Sequence, residues 1–440
     1  MKHTFFRTRR MALALGIGLL ALSATAAGAT ASSGTGSRAA AAKASVGSGA
    51  IVVDWNKELV KILSTPGAQP ATIHPTRSLA ILHAAIYDAV VSITHSNPPY
   101  LFSVDAPPGA RADAAAAEAG HDTLVTLYPA LKATIDQQLA GELAAIPNGA
   151  AKQEGIRVGQ LAAAFMLAAR ANDGSNATPP PLPASTQPGD YRPLPPFVAP
   201  AVFTHWSNVT PFVLQKSDQF RPGPPPALGS ASYAQAINEV KSLGQANSTT
   251  RTADQTVIAK FWPGPIWIAW NEIAENSALA HHSDLVHTTR LFALMNLSFA
   301  DTVIAFYDAK YHYRLWRPIT AIREAGSAGN PAVTADPTWT PLLTASDPSY
   351  PGAHSAISAA GAAVLTSFFG KHDRIKVTSD VLPGVVRTFD NYSAAATEAG
   401  LSRIYGGVHY RFDHEAGLKL GQDVAKFVLG QAKSAHFGLR

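Results

Sequence analysis

The sequence predicts an all-α protein built from packed helical bundles. Apolar residues recur at the spacing of one helix face, and no segment sustains the apolar and polar alternation of a half-buried strand. The chain has 440 residues, of which 47% are hydrophobic, so it can bury a sizeable core. We therefore expect a globular helical protein.

Three apolar stripes locate helices in the first half of the chain. Because residues three and four apart share one face of a helix, we expect the members of each stripe to face the core. The stripes are Leu79, Leu82, His83, Ile86 and Val90; Leu124, Leu127, Leu131 and Ile135; and Ile156, Leu161, Phe165 and Leu167.

Proline-rich segments divide this helical pattern. Residues 173–200 contain three successive prolines and predict a long irregular connection over the surface, and residues 221–226 predict a second one. Helices should resume at about Ser232. Residues 291–307 form the most apolar run of the chain beyond the N-terminal segment, but Asp301 interrupts it, so it predicts a buried core helix rather than a membrane span.

The N-terminal segment has the layout of an export signal. Residues 1–30 carry four cations, a short apolar run and then small residues, which predicts a cleavable signal read by the Sec or the twin-arginine route. Residues 31–50 are rich in Ala, Gly and Ser and predict a linker. The catalytic domain is expected at 51–433, in an exported protein, extracellular or periplasmic, without a permanent membrane anchor.

Charge and cysteine content exclude several classes of site. Residues 1–50 carry six cations and no acid, so the net charge of +5 leaves −1 for the rest of the chain, and no nucleic-acid partner is expected. The absence of cysteine excludes disulfides and thiolate metal sites.

Three short segments concentrate cations and histidines. In the first, we expect Lys310 and Arg317 on one face of a helix that Pro318 ends. In the second, a turn at Pro351-Gly352 should place His354 in the first turn of an apolar helix, where backbone N–H groups attract an anion. Taken separately, the first segment also fits a solvated cationic face, and the second also fits a capping or core histidine.

The third segment combines a cation with a prepared imidazole. Gly406-Gly407 should bend the chain so that Arg403 and His409 converge. Asp413 follows His409 by four residues, which is one turn of a helix, so it can accept a hydrogen bond from Nδ1 of His409 and leave Nε2 basic. A surface His–Asp pair is the alternative here. Considered together, the three segments predict a site for phosphate or an anion of similar shape, because only such a ligand offsets so much buried positive charge.

The three segments together resemble the signature of the type 2 phosphatidic acid phosphatase and vanadium-dependent haloperoxidase superfamily. The matching spacings are Lys310-x6-Arg317-Pro318, Pro351-x-x-His354 and Arg403-x5-His409-x3-Asp413. Residues 82–88 and 316–323 are similar to its soluble, exported, bacterial haloperoxidase-like branch. The resemblance covers nearly all of 51–433. It implies an all-α fold in which the anion, vanadate or phosphate, lies between helical bundles.

The resemblance also implies a role for each site residue. His409 would be the metal ligand through Nε2, and His354 would be the acid–base group when hydrogen peroxide enters. Lys310 would polarise the peroxide for attack by halide. The oxyanion would be held by Lys310, Arg317 and Arg403, with backbone groups near Gly352 and Ala353.

Four residues depart from the family pattern. Gly352-Ala353 replaces the usual Ser-Gly, Tyr307 replaces a tryptophan, and Asp347 stands where haloperoxidases carry an aromatic residue or histidine that shapes the halide site. The resemblance favours a peroxidase that oxidises halide or a small organic substrate. Because a carboxylate repels halide, an exported acid phosphatase acting through a phosphohistidine is the alternative. A non-catalytic oxyanion-binding protein is the third possibility. A homo-oligomer is left open.

Overall fold

The computed structural model describes residues 48–193, 199–434 and 437–438, which form thirteen α-helices and one short hairpin. The helices are α1 (Ala50–Ser64), α2 (Pro75–Thr94), α3 (Ala112–Leu127), α4 (Lys132–Ala144), α5 (Ala150–Arg170), α6 (Ala231–Leu243), α7 (Ala253–Phe261), α8 (Ile266–Ala280), α9 (Leu285–Tyr313), α10 (Pro318–Arg323), α11 (Ala353–Phe369), α12 (Tyr392–Tyr405) and α13 (Arg411–Gln431). The antiparallel strands are β1 (Ile375–Val377) and β2 (Arg387–Phe389). The all-α prediction is confirmed.

Helices α2, α3 and α5 pack together as a first bundle, with α1 and α4 against α3. Helix α2 begins at Pro75, where the missing N–H costs nothing, and the His74 ring accepts a bond from the Thr76 backbone. Gly159 of α5 lies so close to α3 that an added Cβ would sit 2.8 Å from the Cβ of Glu118. A glycine is therefore needed where these two helices cross.

Helices α9, α11, α12 and α13 form the second bundle, which carries most of the residues predicted for the site. Helix α11 is apolar, ten of its 17 residues are buried, and it packs on α13 at small residues. A Cβ added to Gly417 would lie 2.9 Å from the Cβ of Ser355, so the two helices touch here almost backbone to backbone. This close packing holds the beginning of α11 against the beginning of α13.

Helix α9 connects the two bundles, since it packs on both α2 and α11. Both α2 and α9 are long and apolar enough to cross a membrane, but 94% of the most apolar window of each is buried inside the protein. The prediction of a core helix at 291–307 is confirmed, because 22 residues of α9 are buried, Asp301 among them.

Two of the three predicted stripes are partly wrong. The stripe from Leu124 to Ile135 is not one helix, because α3 ends at Leu127 and a 3-10 turn at Pro129–Leu131 precedes α4. Proline disfavours helical geometry in the residue before it, which explains the break. In α5, Leu161 and Phe165 are 40% and 47% exposed, and the core face holds smaller side chains such as Ala162.

Other predictions have mixed outcomes. Residues 173–193 and 221–226 form no helix, as expected, and α6 begins at Ala231. The hairpin of β1 and β2 was not predicted, because three-residue strands are too short to show a period of two. The export signal and most of the predicted linker lie outside the described residues, so these assignments and the 51–433 domain stay predictions.

Candidate active site

Lys310 lies in the last turn of α9 with its side chain fully buried. Its ammonium group donates to the carbonyl oxygens of Pro348 at 2.5 Å and Ser349 at 3.1 Å, and it lies 3.2 Å from Oδ2 of Asp347. Burial, with a smaller contribution from the charge of Arg317, lowers the pKa of Lys310 to about 8, although Asp347 opposes the shift. The lysine is thus a cation held in place by three oxygen atoms.

Arg317 does not share a helix with Lys310, so that expectation was wrong. Helix α9 ends at Tyr313, where Arg314 adopts a left-handed conformation, and Pro318 begins α10 instead of ending α9. Arg317 is therefore the N-cap residue of α10. The chain turns back between the two helices, which brings the two cations to one carboxylate by a different path from the predicted one.

The guanidinium of Arg317 is bound on three sides. Its Nε donates to the backbone oxygen of Asp347 at 2.7 Å, and Nη2 pairs with the carboxylate of the same residue. Nη1 donates to the carbonyl of Val408 at 2.6 Å and to Nε2 of His409 at 3.1 Å. Arg317 therefore joins the segment before α11 to the segment before α13.

The beginning of α11 lies where the sequence predicted it. Gly352 is the N-cap residue, and its N–H donates to the carbonyl of Asp413 at 2.8 Å. A Cβ here would lie 3.0 Å from that carbonyl oxygen, so the close approach favours glycine. Helix geometry leaves the first-turn N–H groups of Ala353, His354 and Ser355 without partners inside α11.

His354 is partly exposed, and its Nε2 lies 3.1 Å from the carbonyl oxygen of Trp262. Because a carbonyl can only accept, Nε2 carries the hydrogen and Nδ1 keeps the lone pair. Desolvation, followed by the charge of Arg403, lowers the pKa of His354 well below its ordinary value. The ring is therefore neutral when no anion is bound.

His409 is oriented by Asp413, as predicted, although the helical spacing was not the reason. Helix α13 begins only at Arg411, with Tyr410 as its N-cap. Oδ2 of Asp413 accepts from Nδ1 of His409 at 2.8 Å, from the Tyr410 backbone at 3.1 Å and from the Ser349 hydroxyl at 2.5 Å. These contacts assign the hydrogen of His409 to Nδ1 and leave Nε2 as a lone-pair donor.

The electrostatics of this pair follow from complete burial. Desolvation lowers the pKa of His409 well below its usual range, and Arg317, Lys310 and Arg403 lower it further. Burial raises the pKa of Asp413 to about 6. An imidazole in such surroundings keeps its lone pair and can act as a ligand or nucleophile, since its protonated form is strongly disfavoured.

Arg403 differs from the other two cations. It lies in the last turn of α12, which ends at Tyr405, and Gly407 turns the chain with φ of +80° so that Val408 N–H bonds back to the Arg403 carbonyl. The side chain is buried, and its Nε and Nη1 have no hydrogen-bond partner. Desolvation and the charge of Arg317 lower the pKa of Arg403 to about 10. A buried cation with two unpartnered nitrogens is well suited to bind an anion.

The cluster as a whole therefore fits an oxyanion such as vanadate. Lys310, Arg317 and Arg403 carry three positive charges, and Asp347 pairs with the first two of them. The free donors of Arg403 are unexplained without a further acceptor. All eight predicted site residues are found in three segments of the second bundle and at the N-cap of α10.

Some contacts were missed from the sequence. Ser349 and the backbone oxygens of Pro348 and Trp262 position site residues, but no side-chain pattern marks a carbonyl group. Asp347 was considered only for its effect on halide, whereas it is an ion-pair partner of two site cations.

Three other buried titratable groups belong to the core rather than to the site. Asp88 accepts from three successive backbone N–H groups at 100–102, and Asp301 does the same at 212–214. Nε2 of His83 lies 2.7 Å from Asn56. The sequence alone does not decide whether these three groups support the site or belong to the core, and these contacts place them in the core.

Comparison with known proteins agrees with this geometry. The family model described as the VCPO second helical-bundle domain matches residues 290–438. The chain is 26% identical to the vanadium chloroperoxidase of Curvularia inaequalis over an alignment that covers 44% of this chain. It spans only 43% of that relative's length.

Solved structures support the same relationship over most of the chain. A bacterial vanadium-dependent iodoperoxidase superposes with a TM-score of 0.74 at 25% identity, covering 87% of this chain and 96% of that one. A bacterial vanadium-dependent chloroperoxidase in its holo form superposes with a TM-score of 0.66 at 16% identity, covering 85% and 96%. The second likeness concerns the fold alone.

Proposed function

We propose that this chain, which belongs with the vanadium-dependent haloperoxidases in sequence and fold, is a vanadate-dependent peroxidase that oxidises halide, or a related small substrate, with hydrogen peroxide. The observation that carries the proposal is Arg403, a buried cation with two unpartnered donors. Desolvation lowers the pKa of His354 and of His409, and the charge of Arg403 lowers both further, so the three groups lie close together.

Different residues would supply the hydrogen-bond donors and the ligand atom for the anion. Arg403 and the first-turn N–H groups of α11 would donate to its oxygens, together with Arg317. Nε2 of His409 would be the ligand atom, and Asp413 keeps that nitrogen free of hydrogen. When bound, vanadate would supply a Lewis-acidic centre that activates hydrogen peroxide towards attack by halide.

Proton transfer falls to His354. Its Nδ1 carries the lone pair, and its pKa is held well below the usual value. The free lone pair gives the ring a site to take a proton from incoming peroxide, and burial with the surrounding cations favours the release of that proton. Lys310 keeps positive charge near the reacting oxygens while the carbonyls of Pro348 and Ser349 fix its position.

An acid phosphatase is the second candidate, and Asp347 is the observation that favours it. In that reaction Nε2 of His409 would attack phosphorus, and His354 would protonate the leaving oxygen. The cations would stabilise the transition state. A carboxylate on Lys310 and Arg317 repels a free halide ion, whereas neither histidine that would act on a phosphate ester is paired with Asp347.

A paired assay on one metal-free preparation separates the two. Bromide oxidation by hydrogen peroxide is measured with and without orthovanadate, beside hydrolysis of an aryl phosphate. We expect bromination that depends on vanadate and is lost in His409→Ala. Phosphate hydrolysis inhibited by vanadate, with no halide oxidation in any condition, would replace the peroxidase proposal with the phosphatase.

We also propose that the protein is exported. The support is the arrangement of residues 1–30, with cations before an apolar run and small residues after it. Expression of the full chain should release a shortened protein outside the cytoplasm, and N-terminal sequencing would locate the cleavage. Retention of the intact N-terminus in the cytoplasm would refute export.

A further inference from the structure

Asp347 is the only acidic residue among the described residues that forms ion pairs with two of the three site cations. Its Oδ2 lies 3.2 Å from Nζ of Lys310, and its Oδ1 pairs with Nη2 of Arg317. The side chain is 14% exposed, whereas those of the two cations are 0% and 6% exposed. Asp347 is therefore the most exposed of the three side chains.

The hydrogen bonds of Lys310 show what this carboxylate does. An ammonium group has three donors, and here three oxygens surround it: the carbonyls of Pro348 and Ser349 and the carboxylate of Asp347. The carboxylate of Asp347 takes the place of the third acceptor around Lys310. Arg317 likewise directs Nη2 to the Asp347 carboxylate. Two of the three predicted oxyanion-binding cations are thus engaged by the chain itself.

Arg403 provides the contrast within the same site. Its Nε and Nη1 have no partner, so it is ready to receive an anion without any rearrangement. An oxyanion that also takes a donor from Lys310 must first remove the Asp347 carboxylate. We propose that Asp347 is a built-in competitor of the oxyanion: it occupies Lys310 and Arg317 when no anion is bound and is displaced when one binds.

The local structure permits this displacement without moving the backbone. The main-chain oxygen of Asp347 accepts from Nε of Arg317 at 2.7 Å, which holds the segment in place while the side chain turns. Because the carboxylate already reaches the surface, it can exchange its ion pairs for water. Although burial acts in the opposite direction, Lys310 and Arg317 hold the pKa of Asp347 below its ordinary value, so the group competes as an anion.

Whichever reaction the site performs, the chain should bind vanadate or phosphate more weakly than its cations alone would allow. The competition also makes Asp347 a residue that determines which anions engage Lys310. An anion bound only by Arg403 and the histidines leaves the carboxylate on Lys310. Such an anion would not bring Lys310 into contact with peroxide.

The test is a comparison of anion affinities by isothermal titration calorimetry, with orthovanadate and inorganic phosphate as separate probes. Asp347→Asn should bind each at least about tenfold more tightly than the unsubstituted protein, because both cations regain free donors. The matched control is Glu239→Gln, which removes an equal charge from the partner of Arg411 outside the site and should change affinity less than about twofold. Equal or weaker binding by Asp347→Asn would overturn the proposal.

Two further measurements guard against a folding artefact. Asp347→Glu keeps a carboxylate and should retain the weak affinity, so tight binding by that variant would count against competition. Crystals of the unsubstituted protein grown with and without tungstate should show the carboxylate on Lys310 only in the anion-free form. A carboxylate that stays on Lys310 beside bound tungstate would refute displacement. Bromide oxidation, assayed separately, reports on the proposed peroxidase and can fail without affecting these results.

Discussion

Two buried clusters in this protein each combine arginines with a carboxylate, yet they differ in how their donors are used. In the first bundle, Asp173 accepts from Nε of Arg77 at 2.7 Å and from Nε of Arg170 at 3.0 Å. The remaining donors of Arg170 reach the carbonyls of Thr210 and Pro211, and its guanidinium lies 3.7 Å from the ring centre of Phe212.

The oxyanion site is built from the same kinds of residue but is left incomplete. Neither Arg77 nor Arg170 has a buried nitrogen without a partner, whereas Arg403 has two. A structural cluster satisfies its charges within the chain, because an unpaired buried charge costs stability. A binding cluster keeps a buried charge unpaired, and the ligand pairs with that charge when it binds. Burial and charge alone do not separate the two, but the hydrogen-bond inventory does.

The largest expected effect is on stability in the saturated cluster. Arg170→Met should lower the free energy of unfolding by about 3–5 kcal/mol, because Asp173 loses a partner and two carbonyls lose their donors. Denaturant titration monitored by circular dichroism measures the change. Arg403→Met is the matched substitution and should change stability by no more than about 1 kcal/mol. Equal losses in both variants would erase the distinction between the clusters.

The second effect is on ligand binding. Arg403→Met should weaken orthovanadate binding about a hundredfold, because its two free donors and its charge are lost together. Equilibrium dialysis of the purified variant measures the affinity. Arg170→Met, assayed where it is still folded, should bind as the unsubstituted protein does. Normal affinity in Arg403→Met would show that its free donors serve another purpose.

A third comparison uses two buried carboxylates whose pKa is raised by burial to about 6, Asp413 and Asp301. Asp413→Asn should reduce orthovanadate affinity by roughly 10- to 100-fold, since His409 loses the group that orients it. Asp301→Asn should instead reduce thermal stability and leave affinity unchanged, because Asp301 binds only the backbone at 212–214 and lies outside the site. A reversed outcome would exchange their roles.

The smallest effect is a pH dependence. Burial lowers the pKa of Lys310 to about 8, so its charge is fully present below that pH and is lost as pH rises through it. The affinity for sulfate, whose own charge is constant in this range, should fall about fivefold between pH 7 and pH 9. Calorimetry at several pH values measures it. Lys310→Met should bind weakly at every pH, and a persistent slope in that variant would assign the effect elsewhere.

Sequence patterns predicted the residues of the site better than the path of the chain between them. The spacing from Lys310 to Arg317 suggested one helix, whereas α9 ends at Tyr313 and Arg317 caps α10. Asp413 was expected to reach His409 along a helix, but α13 begins after His409. Lys310 and Arg317 nevertheless meet at Asp347, and Asp413 bonds His409, because turns of the chain bring these residues together.

The sequence by itself determined the all-α class, the buried nature of α9, the beginning of α11 beside Gly352 and the set of cations and histidines. These follow from periodicity and residue chemistry, which are local properties of the chain. Only the tertiary structure decided which donors remain free. The carboxylate of Asp347 engages Lys310 while Arg403 has no partner. A hydrogen bond between residues far apart in the chain depends on how the helices pack, and no local pattern encodes that distance.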